Sequence, residues 1–394
     1  MSNFEKDQLV RELQDRSHDV GGHPIDFDSV RQSARRIRRR RNWVGGAVAA
    51  MVAAVAIPSG LAVSNSLTTA EGPNGDSPVA GSPDKPELLT LNGLERGDDP
   101  KIDYLARRDL VGADGSVTRL DGTYTKITPY FPGWLAGTWS ENGPVQVFLD
   151  EDGQTLRSQP GSDFVVNASA SQIAYVTAAE GVQDGQKLVL APTMGSESLK
   201  QRQSVPADAS PIGFLDEDTV VYRTEGVEPR TFVTSFDGAA AERVPGLRGA
   251  AGASESGLIA GMTTVTDEGS CSAVVRADGF QRLWQTCDFT LLTFSPDGRH
   301  VLATSSYRDG LGDRELAILD ARTGEVVRHY EKKSMGSLHI NHMVWEDDTH
   351  ALATVFEDGE WAVVRVDTEG NVESATEPVP GLDMECPLFF SARP

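Results

Sequence analysis

The chain has 394 residues, and its 58 acidic side chains outnumber its 36 basic ones, for a net charge of −22. Residues 1–42 carry ten Lys/Arg and seven Asp/Glu, so all of the acidic excess belongs to the remaining 352 residues. A nucleic-acid-binding protein neutralises phosphates with basic residues, so this acidic body excludes a nucleic-acid partner.

Residues 1–42 are predicted to form a short, basic, helical head in the cytoplasm. The stretch "FEKDQLVRELQDR" (4–16) places its apolar residues mainly on one side of a helix. A helix of this length is marginal alone in water, so we expect it to order by docking on a cytoplasmic partner. The alternative is a head that only sets topology and binds anionic lipid.

An arginine cluster directly precedes a long uncharged run. Seven of the eleven positions from Arg31 to Arg41 are arginine, and residues 43–63 have no charge. About 20 apolar residues span a bilayer, and basic residues flank the cytoplasmic side. The pattern predicts one transmembrane helix over 43–63, with the N-terminus inside and the C-terminal body outside. The residues assigned to topology and lipid contact are Arg35, Arg36, Arg38, Arg39, Arg40, Arg41 and Trp43.

A cleaved export signal is the alternative for the same segment. Ala62-Val63-Ser64 has the small residues of a cleavage site, and the arginine pair before Asn42 loosely resembles a twin-arginine signal. A whole signal peptide usually has about 15–30 residues, whereas 42 residues precede this apolar run. The length favours an anchor, and both alternatives place the body outside the cytoplasm.

Residues 64–97 are predicted to form a disordered linker rich in Ser, Gly and Pro. The segment "SNSLTTAEGPNGDSPVAGSPDKP" (64–86) has few large apolar residues, so it buries too little surface to order itself. The body, residues 98–394, follows it.

The body contains a repeat of short strands separated by turns. A turn followed by an apolar strand begins at residues 132, 171, 218, 256, 298 and 349, and a second strand near a Gly turn follows each one. The intervals of 38 to 51 residues bracket the roughly 40–45 residues of a four-stranded propeller blade.

One repeat carries a family resemblance. The stretches "LLTFSPDGRHVLATS" (291–305) and "LAILDARTGEVV" (316–327) resemble a blade of the WD-repeat-like and TolB-like β-propellers. Asp297 and Gly298 match the turn between the first two strands of such a blade, and Asp320 and Gly324 match the turn between the last two. The resemblance implies an all-β propeller of four-stranded blades over about residues 97–394. It concerns fold alone, because propellers host many unrelated activities.

Both ends of the body contribute to closing the ring. The stretch 101–122 is predicted to supply the last two strands of a blade, and 384–394 is predicted to supply its first strand. This blade would be the seventh and would leave no open sheet edge. We favour seven blades, with six as the alternative.

The three cysteines are Cys271, Cys287 and Cys386. The segment 271–287 is predicted to form a hairpin with a three-residue loop centred on Gly279. This loop places Cys271 opposite Cys287. Directly opposed residues lie within disulfide range, so we predict this disulfide, which suits an oxidising location. The alternative is two buried thiols. Cys386 is expected to be a small buried hydrophobic residue.

The search for reactive groups assigns no catalytic, cofactor-binding or metal residue. His339 and His342 have a spacing used in helical metal sites, but their segment reads as a strand, where residues three apart point to opposite faces. The chain has no G-x-S-x-G, H-E-x-x-H, P-loop or G-x-G-x-x-G motif. No cofactor is expected.

These features favour a membrane-anchored, extracytoplasmic propeller that binds a protein or another ligand on its face without catalysis. The layout resembles membrane-anchored anti-sigma regulators of actinobacteria-like, arginine-rich proteomes, since the chain has 28 Arg and 8 Lys. One alternative is an outward-facing propeller hydrolase or lactonase. Another is an exported, cleaved propeller that acts as a binding protein.

Overall fold

The computed structural model describes residues 85–141, 143–178, 186–194, 201–226, 228–236, 239–266, 269–306, 314–332, 339–383 and 385–391. The predicted head, the predicted membrane helix with its arginines and Trp43, and residues 64–84 of the predicted linker lie outside these ranges. Within them the regular secondary structure consists of β-strands. No helix in this part of the chain has the length and apolar character needed to cross a membrane.

The structure has 29 strands in the described residues, most of them three to nine residues long. The first ten are β1 (Glu87–Leu89), β2 (Tyr104–Ala106), β3 (Asp109–Val111), β4 (Val117–Arg119), β5 (Lys126–Tyr130), β6 (Gly133–Ser140), β7 (Gly143–Leu149), β8 (Thr155–Val166), β9 (Gln172–Ala178) and β10 (Gln186–Pro192). The next ten are β11 (Gln201–Val205), β12 (Ala209–Phe214), β13 (Thr219–Thr224), β14 (Thr231–Ser235), β15 (Glu242–Arg243), β16 (Gly249–Ser254), β17 (Leu258–Thr266), β18 (Gly269–Arg276), β19 (Arg282–Thr286) and β20 (Phe289–Phe294). The last nine are β21 (His300–Ser305), β22 (Glu315–Asp320), β23 (Val326–Lys332), β24 (His339–Trp345), β25 (His350–Glu357), β26 (Glu360–Asp367), β27 (Val372–Ser374), β28 (Val379–Pro380) and β29 (Leu388–Phe390).

The strands form an all-β propeller that contains five blades of four antiparallel strands. Four blades are consecutive meanders, β12–β15, β16–β19, β20–β23 and β24–β27, and the fifth joins β29 to β2, β3 and β4. The strands β5–β11 form a seven-stranded sheet, in which the first half of β8 pairs with β7 and its second half with β9. Because each meander has four strands, the chain returns to the same face of the ring before each new blade begins.

The predicted repeat coincides with the second and third strands of successive meanders. The six turn-and-strand units correspond to β6, β9, β13, β17, β21 and β25, and the six strands that follow them correspond to β7, β10, β14, β18, β22 and β26. In the blades β20–β23 and β24–β27 these are the most buried strands, and residues 361–367 of β26 are buried without interruption. Apolar runs bounded by turn residues predict such strands well, because both faces of a blade are covered by neighbouring blades.

The two ends of the body meet in one blade. The strand β29 pairs antiparallel with β2, with Tyr104 opposite Phe390, and a parallel bridge joins Ile127 to Ser391. The stretch 101–122 supplies three strands here, whereas the sequence predicted two. The additional strand β2 has three residues, too few to show an alternating pattern, and the tertiary partner β29 is what orders it.

Residues 87–97 belong to the folded body, although the predicted linker extended to residue 97. The strand β1 pairs in parallel with β23 as a fifth strand of that blade, and Leu89 is 2% exposed. Farther along, Arg96 forms a parallel β-bridge with Ser374, the last residue of β27. The Ser/Gly/Pro-rich composition ends at Pro86, and the leucines that follow supply apolar surface that a linker lacks.

The hydrophobic core lies between neighbouring blades and is held by large buried side chains. The indole of Trp284 on β19 is fully buried and donates a hydrogen bond to the carbonyl oxygen of Ala321 in the next blade, at 2.9 Å. Trp345 on β24 is also fully buried and donates to the carbonyl of Thr293 on β20, at 3.1 Å. These contacts combine apolar burial with a satisfied N–H group, so they tie adjacent blades together.

Candidate functional site

A cavity of about 1180 Å³ lies on the inner side of the blades. Its wall receives one or more side chains from the innermost strand of every meander, including both halves of the seven-stranded sheet. Representative wall residues are Lys126 (β5), Val165 (β8), Ile212 (β12), Ala251 (β16), Thr293 (β20), Met343 (β24) and Phe389 (β29). We refer to this space as the central cavity.

The central cavity has a charged and aromatic mouth on the face where the innermost strands begin. The mouth is defined by residues from β5, β6, β8, the start of β12 and the end of β13, namely Lys126, Trp139, Asp163, Asp208, Arg223 and Glu225. Each lies near a strand end on this face or near Pro160-Gly161, where β8 changes its partner from β7 to β9. The charged groups of the cavity lining therefore collect on the arc formed by these strands.

Ion pairs occupy both basic residues of the mouth. The Nζ atom of Lys126 lies 2.9 Å from Oδ1 of Asp163, and Nε of Arg223 lies 2.7 Å from Oε1 of Glu225. Lys126 also lies over the ring of Phe164, 5.3 Å from its centroid. These contacts hold the basic groups in place and offset their charge locally.

Asp208 and Trp139 are exposed at the mouth. The Asp208 carboxylate accepts a hydrogen bond from the backbone N–H of Gly226, at 2.9 Å. The Trp139 side chain is 73% exposed, and its cross-strand neighbour in the β6–β7 hairpin is Pro144. A large aromatic group in such an exposed position does little for the core and is available to a ligand.

The interior wall next to β24 and β29 is aromatic and apolar. The ring of His342 lies 4.6 Å from the ring of Phe389, centroid to centroid. Burial lowers the pKa of His342 to about 4, so its imidazole is neutral at pH 7. The wall here is therefore uncharged under physiological conditions.

The second predicted histidine is separate from the first. His339 packs on Phe356 and Trp361, with ring centroids 5.1 and 5.2 Å away, and is absent from the cavity lining. The strand β24 has an irregular register between Ile340 and Met343. Across the described ranges, no group of three or more His, Cys, Asp or Glu side chains has the arrangement of a metal site.

Turns that follow the innermost strands pack together at the opposite end of the central cavity. The carboxylate of Glu255, after β16, accepts a hydrogen bond from the backbone N–H of Ala168, after β8, at 2.7 Å. The contact spans the intervening meander β12–β15. It therefore narrows the space at the end opposite the mouth.

The predicted blade turns lie away from the mouth. The Asp297 carboxylate accepts hydrogen bonds from the Ser295 hydroxyl at 2.7 Å and the Arg299 N–H at 3.0 Å, while Gly298 has φ of 68°. The Asp320 carboxylate accepts from two backbone N–H groups, and Gly324 donates to the Asp320 carbonyl at 2.9 Å. Both turns face the end opposite the mouth, so their role is to reverse the chain.

The structure confirms the predicted disulfide between Cys271 and Cys287. The strands β18 and β19 pair with Ser272 opposite Thr286, the register expected from a loop centred on Gly279, which has φ of 70°. Cys386 is a free thiol that donates to the carbonyl of Leu388 at 3.0 Å, and burial raises its pKa.

A buried ion cluster beside β26 was missed by the sequence analysis. The Arg365 guanidinium donates to both carboxylate oxygens of Glu346, at 2.6 and 2.9 Å, and to Glu373. It also donates to the carbonyl groups of Asp98 and Asp99, and Glu346 accepts from the N–H of Lys101. Burial by itself would lower the pKa of Arg365, but the two carboxylates raise it above its ordinary value. The available signal was one arginine inside the apolar run "WAVVRV".

The mouth residues were also missed. Each is one polar or aromatic residue at a strand end, and the segments that carry them are up to 100 residues apart. Lys126 and Glu225, for example, have no spacing that relates them in the sequence. The exposed Trp139, at the end of a strand with an apolar start, was the sole local signal in this set.

Comparisons with known proteins find similarity to solved structures at low sequence identity. The chain matches no family model and no curated protein. It is similar to the β-propeller domain of the Trilobed protease from Pyrococcus furiosus, with 11% identity over 66% of this chain and 86% of that one, at a TM-score of 0.44. It is similar to prolyl oligopeptidase B from Galerina marginata, with 10% identity over 68% and 45% of the two chains, at a TM-score of 0.47. It is also similar to an apocarotenoid oxygenase from Synechocystis, with 12% identity over 65% and 72%, at a TM-score of 0.43.

Proposed function

We propose that this protein is a binding module whose ligand or protein partner enters the mouth of the central cavity. The observation that carries the proposal is the mouth itself, where the exposed Trp139 and the charged groups stand over an apolar interior. Binding pockets combine mostly apolar walls with a few polar groups that orient the ligand. The charged groups at this mouth are largely paired with one another, which suits recognition better than proton transfer.

We also propose that the ring has seven blades. Counting β8 in both halves divides the seven-stranded sheet into two meanders of four strands, β5–β8 and β8–β11. Seven innermost strands then line the central cavity. The partner of β8 changes from β7 to β9 between Pro160 and Gly161, and this change separates the two halves.

We further propose that residues 43–63 anchor the protein in a membrane, with the head in the cytoplasm and the propeller outside, where it senses a signal and relays it inward. The arginine cluster, the uncharged run and the resemblance in layout to anti-sigma regulators support this topology. The disulfide Cys271–Cys287 supports an oxidising environment for the body.

Site-specific photo-crosslinking in native membranes tests the binding site. A photoreactive amino acid replaces Trp139 in the full chain, and a second variant carries it at Leu156, which is 55% exposed near the opposite face. We expect a discrete adduct from position 139 that position 156 does not form. Adding Ala251→Phe, which places a large side chain in the wall of the central cavity, should weaken the adduct. Equal adducts at both positions would contradict a binding site at the mouth.

A deletion of residues 2–30 tests the relay, because it keeps the arginine cluster and hence the predicted topology. Crosslinks to a cytoplasmic protein are compared between the full chain and the deletion by mass spectrometry. Loss of a cytoplasmic partner with the head is the expected result. If all crosslinks come from the propeller and survive the deletion, the head is an anchor without a relay role.

A further inference from the structure

We infer that the mouth of the central cavity recognises a cationic peptide segment in which a Lys or Arg side chain stands next to an apolar one. This inference rests on the proposed function, since it names the chemical class of the partner that enters the mouth. The argument uses the charge at the mouth, the exposed aromatic group and the apolar wall beneath them.

The mouth has one carboxylate that no basic side chain neutralises in the described part of the chain. Lys126 is paired with Asp163 at 2.9 Å, and Arg223 is paired with Glu225 at 2.7 Å. Asp208 accepts a hydrogen bond from the backbone of Gly226 and has no ion pair there. Two positive and three negative side chains thus leave one net negative charge, located on an exposed carboxylate. A cationic ligand complements this charge, whereas an anionic ligand would meet Asp208 without compensation.

Trp139 attracts the same sign of charge. Its side chain is 73% exposed, so the face of the indole ring is accessible from solvent. A Lys or Arg side chain over a tryptophan ring gains attraction from the ring quadrupole. Trp139 lies at the end of β6 and Asp208 before β12, so two independent strands contribute to recognition of a cation.

The wall beneath the mouth accommodates an apolar side chain. His342, Phe389, Met343 and Ile212 line it, and the His342 imidazole is neutral at pH 7. An apolar residue next to the cation can enter this space and be removed from water, while the cation stays at the partly hydrated mouth. A purely polar polyamine would leave this wall uncovered, so a peptide segment fits better.

The charge of the whole chain supports the same class of partner. The net charge of −22 creates a negative potential that steers cationic partners toward the protein and slows anionic ones. This attraction is not specific to one site, so the test must separate it from the contribution of the mouth.

Peptide binding to the full chain in nonionic detergent tests the inference. The probes are the blocked peptides Gly-Lys-Leu-Lys-Gly, Gly-Gln-Leu-Gln-Gly and Gly-Glu-Leu-Glu-Gly, each with the same uncharged dye, and binding is followed by fluorescence anisotropy. We expect the lysine peptide to bind most tightly. Asp208→Asn, which keeps an acceptor for Gly226, should weaken the lysine peptide about fivefold and leave the glutamine peptide unchanged.

Glu217→Gln is the matched control, because it removes the same charge from the exposed turn at the other end of the β12–β13 hairpin. It should not change binding of the lysine peptide. Equal losses in Asp208→Asn and Glu217→Gln would overturn the inference in favour of general attraction to an acidic protein. Equal binding of the lysine and glutamine peptides, both lost in Trp139→Ala, would overturn the cationic class but leave the proposed site intact. Absence of both peptide binding and position-139 crosslinks would instead remove the proposed site.

Discussion

At the scale of single residues, the cluster around Arg365 is a buried set of ion pairs. The side chains of Arg365 and Glu346 are 6% and 0% exposed, and five hydrogen bonds satisfy the guanidinium. Arg365 lies on β26, and its partners come from the turn after β24, from β27 and from the segment before β2. A buried charge of this kind is stable only while all of its partners are present.

Glu346→Ala is therefore expected to destabilise the protein by about 3–5 kcal/mol, because it leaves the Arg365 charge buried without its bidentate partner. Denaturant unfolding of the full chain measures the change. The control is Arg299→Met, which removes an 80% exposed arginine paired with Asp297 and should change stability by less than about 0.5 kcal/mol. Similar effects of the two substitutions would contradict the assigned role of the buried cluster.

His342 makes stability depend on pH. Burial lowers the pKa of His342 to about 4 in the folded protein, from the ordinary histidine value of 6.5. His342 thus binds a proton more readily in the unfolded chain than in the folded protein. The stability contributed by its neutral, buried form is therefore present above pH 6.5 and is lost as pH falls towards 4. We expect His342→Gln to lose less stability than the wild type between pH 7 and pH 4, by up to about 3 kcal/mol. If the free energies of unfolding of the two proteins changed equally between pH 7 and pH 4, this expectation would be wrong.

At the scale of secondary-structure elements, the closure strand β29 is short and depends on its partners. It has three residues, of which Leu388 and Phe390 are buried against the β24–β27 blade and β2. Since β2, β3 and β4 also have three residues each, this blade has few ladder hydrogen bonds. Its stability must come mainly from side-chain burial.

Leu388→Ala is expected to cost about 2–5 kcal/mol, because it opens a cavity where β29 meets the neighbouring blade. Thermal unfolding of the full chain measures it. Leu382→Ala is a matched control in the same terminal segment, since Leu382 is 64% exposed and its carbonyl, which accepts from Trp361, is unaffected. A control effect as large as that of Leu388→Ala would contradict a specific role for β29 in ring closure.

At the scale of the whole molecule, the three cysteines report on the environment of the body. The structure pairs Cys271 with Cys287 and leaves Cys386 as a free thiol. An extracytoplasmic propeller would acquire this disulfide as it folds, whereas a cytoplasmic one would be kept reduced. The oxidation state in cells therefore tests the proposed topology independently of any ligand.

Acid quenching of intact cells, alkylation of the denatured protein with or without prior reduction, and mass spectrometry measure that state. We expect one alkylated cysteine, Cys386, without reduction and three after reduction. Three alkylated cysteines without reduction would place the body in a reducing compartment and contradict the proposed location. The variant Cys386→Ser, with no alkylation before reduction, is the control for the assignment.

Local sequence patterns were sufficient to predict the propeller, the positions of its second and third strands and the disulfide. These features depend on local patterns, because buried strands read as apolar runs between turn residues and a hairpin loop sets which residues face each other. Three features depend on tertiary contacts. They are the folding of segment 87–97, the strand β2, and the pairing of β8 with both halves of one sheet. Each of them depends on a partner strand that is distant in sequence or on the path of the ring.

The candidate site was decided almost wholly by tertiary structure. Trp139, Asp208 and Arg223 become neighbours of one cavity only because four-stranded meanders bring the chain back to the same face each time. The Arg365 cluster likewise joins residues between positions 98 and 373. Arg365 needs these partners because its charge is buried. Hydrophobic periodicity predicts single strands. It does not predict a site that is assembled from the ends of strands far apart in the sequence.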